Sequence, residues 1–160
     1  MGYYTDLATI SIDDYQAKLE SADLLPSRML LKERLAERFG YFKSIGIRNV
    51  LDLQKLLKKK EKLAELTKVD GFSEDFLVVL LREINSIQPK PNKLNEFFGI
   101  SSETVSKLEK NGIKDTLKLF DHVLTLQSRK KLAAETNIPE AEILELAKLT
   151  DLSRIKWVGA

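Results

Sequence analysis

The chain has 160 residues, which suits one domain or two small ones, and 43% of them are hydrophobic, enough to build a core. The net charge of +2, from 26 Lys and Arg against 24 Asp and Glu, is too even to identify a nucleic-acid binder by itself. The absence of cysteine excludes disulfides, thiolate chemistry and Cys-ligated zinc. The N-terminus has no basic signal-like segment, and no apolar stretch is long enough to span a bilayer. We therefore expect a cytoplasmic protein without membrane association.

Helical signals begin near the N-terminus, and strand signals are almost absent. Ser11 is a good N-cap for a helix over residues 12–21. Ser27 is expected to cap one long helix over residues 27–44, because its apolar residues recur at helical spacing. Gly46 then ends this helix in the left-handed conformation that glycine adopts without steric cost.

The next three helices complete the first half of the chain. Asn49 is expected to cap a helix over residues 50–58, and a second short helix covers residues 61–67. Ser73 is expected to cap a third helix, which is apolar nearly all round from Phe76 to Ile84. Such a helix is typical of the buried centre of an all-α unit.

A proline-rich segment divides the chain. Pro89 and Pro91, in polar company, forbid helix and favour an extended connector over residues 89–93. We therefore predict a first helical repeat with N-terminal helices at residues 1–88 and a second repeat at residues 94–160. After one helical turn at residues 94–98, the second repeat is expected to form helices at residues 102–111, 116–123, 127–135 and 139–149.

The two halves resemble each other. Residues 46–53 match residues 112–119 at an offset of 66: a glycine, an isoleucine, an Asn or Asp cap, then two leucines two apart. We call each of these segments an octet. Residues 63–67 match residues 132–136 at an offset of 69, which predicts a small insertion near residues 124–128. A single octet could also be the common pattern of residues that ends one helix and starts the next. Two matches that occur in the same order along both halves favour a true internal repeat.

The second half carries the sharper motif. Leu94 and Phe97, followed by Gly99-Ile100-Ser101 and a helix, resemble the helix-hairpin-helix motif, with Ser101 in place of its second glycine. In that family the hairpin N–H groups and the following helix start receive a DNA phosphate, which is general anion chemistry of helix N-termini. The resemblance predicts a nucleic-acid site formed by Gly99, Ile100, Ser101, Ser102, Lys107, Lys110 and Lys114.

The chain from about residue 11 to residue 160 is also similar to an uncharacterised bacterial and archaeal family of tandem helix-hairpin-helix-like domains. The segments at residues 22–28 and 150–155 carry this likeness. Residues 152–160 repeat the pattern that starts at Leu94, with Trp157 in place of the first glycine and Gly159 as the second. We therefore expect an incomplete third hairpin, and hence a fragment of a longer protein.

The sequence contains no recognisable set of catalytic residues. His122 is the single histidine, and a lone histidine in an amphipathic helix is more often structural than a ligand or catalyst. No phosphate-binding loop with its lysine, zinc-protease motif or calcium-loop spacing occurs. The fold class expected is all-α, two diverged helix-hairpin-helix (SAM-like) repeats, with no enzyme activity, no cofactor and no metal.

Two functions stay open at this stage. The first is non-sequence-specific binding of the DNA backbone, supported by the lysines after the Gly99 hairpin and by a second run at residues 55–62. Solvated helix surface is the alternative for both, and no aromatic residue interleaves with the lysines to stack on single strands. The second is a protein-interaction or structural adaptor, with an exposed apolar patch near Ile155, Trp157 and Val158.

Overall fold

The computed structural model describes residues 2–156, and their regular structure is entirely helical. No strand occurs within residues 2–156, which confirms the predicted all-α class. The α-helices are α1 (Ile12–Ser21), α2 (Leu35–Ser44), α3 (Val50–Lys58), α4 (Lys60–Leu66), α5 (Glu74–Asn85), α6 (Ser102–Lys110), α7 (Thr116–Val123), α8 (Leu126–Thr136) and α9 (Glu140–Ser153). Short 3-10 helices cover Leu7–Thr9, Pro26–Lys32 and Leu94–Glu96. None of these described helices has the length and apolarity needed to cross a membrane.

The chain divides into two compact units, each with its own core. The first unit is Thr5–Ser86, and the second combines residues 87–156 with residues 2–4. In the first unit α5 contributes Phe76, Leu77, Leu80 and Ile84 to the core, and all four side chains are fully enclosed. The core of the second unit is built from Leu94, Phe97, Val105, Leu108, Ile113, Leu119, Val123, Leu132, Ala133, Ile138, Ile143, Leu146 and Ala147. The segment at residues 89–93 contains no helix, as predicted.

Each octet folds in the same way in its own unit. Gly46 and Gly112 adopt φ values of 91° and 78°, so both turns use the left-handed conformation expected of glycine. The isoleucine N–H that follows each glycine donates to a carbonyl five residues earlier, at 3.1 Å from Ile47 and 3.0 Å from Ile113. These bonds close the preceding helix in both units. Ile113 is buried in the core of the second unit, whereas Ile47 is only partly buried.

The next residue of each octet starts a helix and pairs with an incoming segment. The Asn49 side chain accepts the N–H of Asp52 at 2.9 Å, and the Asp115 side chain accepts that of Lys118 at 2.8 Å. Asn49 lies opposite Ser11 in an isolated antiparallel bridge, where Ile12 N donates to Arg48 O and Val50 N donates to Ile10 O. In the second unit, Leu94 N donates to Lys114 O and Thr116 N donates to Asn92 O.

A constant offset relates the helices of the two units, and it corrects the predicted drift. Helices α3, α4 and α5 begin at residues 50, 60 and 74, and α7, α8 and α9 begin 66 residues later, at 116, 126 and 140. Buried Leu66 therefore corresponds to buried Leu132, whereas the predicted match of Leu63 with Leu132 is wrong. There is no insertion near residues 124–128, because the second unit instead extends α8 over four more residues than α4.

The predicted long helix over residues 27–44 is broken. A 3-10 helix covers Pro26–Lys32, Arg34 takes a left-handed conformation with φ 49°, and α2 begins at Leu35. The guanidinium of buried Arg38 donates to the carbonyls of Leu30 and Glu33 at 3.3 and 2.8 Å. It also stacks on the Phe76 ring at 3.9 Å. Arg38 thus donates hydrogen bonds to carbonyl groups that would have been bonded within a continuous helix. These bonds compensate for the hydrogen bonds that are lost at the break.

The third hairpin predicted from Leu152 onward does not begin there. Leu152 and Ser153 belong to the last turn of α9, which runs longer than predicted, and a turn follows up to Lys156. Ser153 is fully buried, and its hydroxyl donates to Thr150 O within α9. The N–H groups of Arg154 and Ile155 donate to Asp151 O and Leu152 O, which joins the turn to the helix. The remaining residues of that predicted hairpin, including Trp157, Val158 and Gly159, lie outside the described residues.

Two glycines of the first unit test the role of backbone conformation. A Cβ atom on either Gly40 or Gly46 would meet nothing within 4 Å, so steric room is equal. Gly46→Ala places alanine in a left-handed conformation and should lower the free energy of unfolding by about 1 kcal/mol. Gly40→Ala removes a flexible residue from α2 and should raise it by roughly 0.5–1 kcal/mol. Urea denaturation of both variants checks this, and equal effects would contradict the assignment of Gly46 as a conformational cap.

Candidate nucleic-acid interface

The predicted Gly99 hairpin is present as a tight turn before α6. Gly99 has φ 87°, and a Cβ at this position would meet nothing within 4 Å. The Ser101 hydroxyl accepts the N–H of Thr104 at 3.1 Å, so the serine caps α6 as expected. That hydrogen bond uses an N–H group that the motif would otherwise offer to a phosphate.

A carboxylate lies beside this turn. The Thr104 hydroxyl, which is buried, donates to Glu142 Oε2 at 2.6 Å. A cavity of about 270 Å³ lies next to the turn and is lined by Gly99, Ile100, Ser101, Ala141, Glu142 and Glu145. Two glutamates thus share the surface at which the sequence places an incoming phosphate, and like charges repel across such short distances.

The lysines of the predicted site lie in different environments. Lys107 forms an ion pair with Glu103 at 2.7 Å, and its Nζ also donates to Asn137 O at 3.3 Å. The hydrogen bond and charge of Lys107 lower the pKa of Glu103 below its ordinary value of 4.5. Lys110 and Lys114 are exposed, and neither is ion-paired within the described part of the chain. None of the three lysines lines the cavity beside the Gly99 turn, and the predicted site remains a prediction.

A more basic surface lies on the first unit, beside its octet. A groove of about 450 Å³, here called the Gly46 groove, is lined by Gly46, Ile47, Arg48, Asp52, Lys55, Leu56, Lys59 and Lys62. Asp52, Lys55 and Lys59 recur at helical spacing along one side of α3 and its C-cap. The octet supplies Arg48 directly after its glycine turn. Four cations and one carboxylate therefore share this groove.

Three of those four cations take part in no ion pair within the part of the chain that the structure describes. Arg48, Lys55 and Lys59 form no ion pair with any residue between positions 2 and 156. Lys62 pairs with Glu65 at 2.8 Å, and Asp52 Oδ2 accepts the backbone N–H of Arg48 at 3.2 Å. The groove thus has several cations in its lining, whereas the cavity beside the Gly99 turn is lined by Glu142 and Glu145.

The sequence indicated part of this groove and missed the rest. The lysine run at residues 55–62 is visible in the sequence, but solvated surface is an equally simple explanation of it. The sequence does not mark Arg48 as a binding residue, because it belongs to the octet, whose pattern is already explained by its backbone turn. The available signal is the equivalence of Arg48 and Lys114 in the two octets, combined with the four-residue spacing of Lys55 and Lys59.

Comparison with known proteins shows a similarity for one part of the chain. Residues 98–160 match the family model described as "Domain of unknown function (DUF4332)". No curated protein and no solved structure matches the chain. The expected resemblance to a family of unknown function is therefore confirmed for residues 98–160, which begin at the predicted hairpin and include α6 to α9. The tandem arrangement predicted for residues 11–160 stays outside what this match covers.

The Lys107–Glu103 pair provides a direct test of how the Gly99 hairpin is charged. Because Lys107 holds the pKa of Glu103 low, the contribution of this ion pair to folding stability is present above the ordinary glutamate pKa. It is lost as the pH falls through the lowered pKa. In Lys107→Met the pKa of Glu103 should return toward 4.5. NMR titration of the Glu103 carboxyl in both proteins checks this, and an unchanged pKa would show that Lys107 is free to meet another anion.

Proposed function

We propose that the chain is a non-enzymatic binding module of helix-hairpin-helix type that holds the nucleic-acid backbone without reading its sequence. The observation that carries this proposal is the Gly46 groove, where Arg48, Lys55 and Lys59 present unpaired positive charge side by side. Phosphate contacts of this kind supply affinity and position but no base specificity. The site thus lies on the first unit, and the Gly99 hairpin is the weaker of the two candidates.

The helical connections support the helix-hairpin-helix type. In the first unit α4 joins α5 through a short turn in which Gly71 has φ 90°. In the second unit α8 joins α9 through Asn137, 66 residues later, with φ 53°. Short helices linked by a tight turn with one left-handed residue are the elements of that motif, and both units repeat them at the same position.

Electrostatics support a backbone ligand over a base-specific one. The cations of the groove are long, flexible side chains from α3 and its C-cap, from α4 and from the octet. Lysine acts as a point charge, with no fixed orientation that would match one base edge. Release of counterions from neutralised phosphates then drives binding and makes it sensitive to salt.

One observation favours the second candidate, a protein-interaction adaptor. Phe98, directly before the Gly99 turn, is 102% exposed and does not belong to the core of its unit. Ile155, one of the residues predicted to form an apolar patch, is 52% exposed, whereas Trp157 and Val158 lie outside the described residues. A fully exposed aromatic ring is a better contact for a protein than for the DNA backbone.

Anisotropy binding to a short labelled DNA duplex tests the proposed function. We expect affinity in the micromolar range at low salt, with a log–log salt slope of about −3 for three phosphate contacts. Lys55→Glu/Lys59→Glu should weaken binding by at least about tenfold and bring the slope to about −1. Both effects follow from removing two of the three unpaired cations.

Lys107→Glu/Lys110→Glu is the charge-matched control, because it changes the net charge by the same amount on the other unit. It should retain most of the binding, and circular dichroism should show that both variants are folded. Equal losses in the two variants would indicate a general charge effect and contradict a site in the groove. Loss only in the control would return the site to the Gly99 hairpin, and no binding at low salt would favour the adaptor.

A further inference from the structure

A second cavity adjoins the Gly46 groove. It has a volume of about 290 Å³ and is lined by Tyr41, Ile45, Leu56, Lys62, Glu65 and Leu66. We call it the Tyr41 slot. Leu56 and Lys62 line both the slot and the groove, so the two form one continuous surface on the first unit. A recess with a tyrosine, three aliphatic side chains and the Lys62–Glu65 pair in its lining thus lies directly beside the cations of the groove.

Three elements of the first unit build the slot and hold it in shape. Tyr41 comes from α2, Leu56 from α3 and Leu66 from α4. The Tyr41 ring packs against the Phe72 ring with centroids 5.3 Å apart and an interplanar angle of 59°. Because Phe72 is itself buried, this contact restrains the tyrosine and prepares its ring for a ligand. Ile45 remains 44% exposed at the edge of the slot.

We propose that the Tyr41 slot accepts one unstacked base of a single-stranded nucleic acid whose phosphates lie along Arg48, Lys55 and Lys59. This inference rests on the proposed function and specifies its ligand. A duplex keeps its bases stacked and paired, so its bases reach such a recess only at an energetic cost. A single strand turns its bases out freely, and aromatic rings beside a basic groove are the usual means of holding them.

The polar rim of the slot favours a base over an acidic peptide. Glu65 lines the slot and is held by Lys62 at 2.8 Å. A carboxylate accepts hydrogen bonds from the N–H groups on the edge of a base, whereas it repels an acidic side chain. Ile45, Leu56 and Leu66 supply apolar contact to the flat faces of a ring. The slot therefore offers apolar contact to the flat faces of a base and a hydrogen-bond acceptor to its edge.

The first test uses the unaltered protein and two strands of equal charge. Anisotropy is measured with a labelled oligothymidylate and with an abasic strand of the same length, which keeps every phosphate and lacks every base. We expect the oligothymidylate to bind about tenfold more tightly, the effect of one stacked base. Equal affinities for the two strands would overturn the inference.

The second test changes the slot. Tyr41→Ala should lower the affinity for oligothymidylate by about tenfold, while its affinity for the abasic strand and the duplex stays unchanged. Tyr41→Phe keeps the ring and its contact with Phe72, so it should bind almost as well as the unaltered protein. Parallel urea denaturation shows whether either variant is unfolded. A Tyr41→Ala variant that is folded and binds all three ligands as before would also overturn the inference.

The outcomes separate this inference from the function on which it rests. Binding of duplex and both strands with one affinity, abolished by Lys55→Glu/Lys59→Glu, would keep the backbone function and overturn the base slot. No binding of any of these nucleic acids would overturn both. A short polyglutamate peptide serves as the remaining control. If it binds as tightly as oligothymidylate, the surface binds acidic ligands in general, and the inference of a base slot is overturned.

Discussion

Each unit depends on a single arrangement of backbone hydrogen bonds around its octet. A glycine turn ends one helix, and the residues that follow it pair with an incoming segment before the next helix begins. In the first unit this pairing joins Ile10 and Ile12 to the turn, and in the second it joins Asn92 and Leu94. Because polar backbone groups at helix ends must find partners when they are buried, these bonds fix where the following helices start. The remaining helices then pack from that point at the same spacing in both units.

The shared frame carries different surfaces. At the constant offset of 66, Lys55 of the first unit corresponds to Asp121 of the second, and Lys59 corresponds to Thr125. The frame therefore leaves the exposed side of α3 and α7 free to vary, since residues there take no part in the core. The second unit therefore has no lysine at the positions that correspond to Lys55 and Lys59, although Lys114 and Lys118 correspond to Arg48 and Asp52.

The same comparison explains the difference between the two candidate sites. The buried position of Arg38 in the first unit corresponds to Thr104 in the second, and Phe76 corresponds to Glu142. Where one unit stacks a guanidinium on a ring, the other joins a hydroxyl to a carboxylate. Glu142 is thereby placed beside the Gly99 turn, and its charge opposes the phosphate that the local sequence pattern predicts. The turn motif alone does not reveal this, because the carboxylate comes from a different helix.

The sequence by itself determined the all-α class, the glycine caps, the Asn and Asp helix starts and the lysines near residue 55, since each depends on neighbours within a few positions. Only the tertiary structure decided the break at Arg34, because Arg38 draws its partners from Leu30, Glu33 and Gly71. Tertiary packing likewise brought the Tyr41 ring beside the lysine groove, although no aromatic residue interleaves with those lysines along the chain. Local periodicity fixes helices, but the surface that a ligand meets is assembled from separate helices, whose placement depends on how their buried faces fit together.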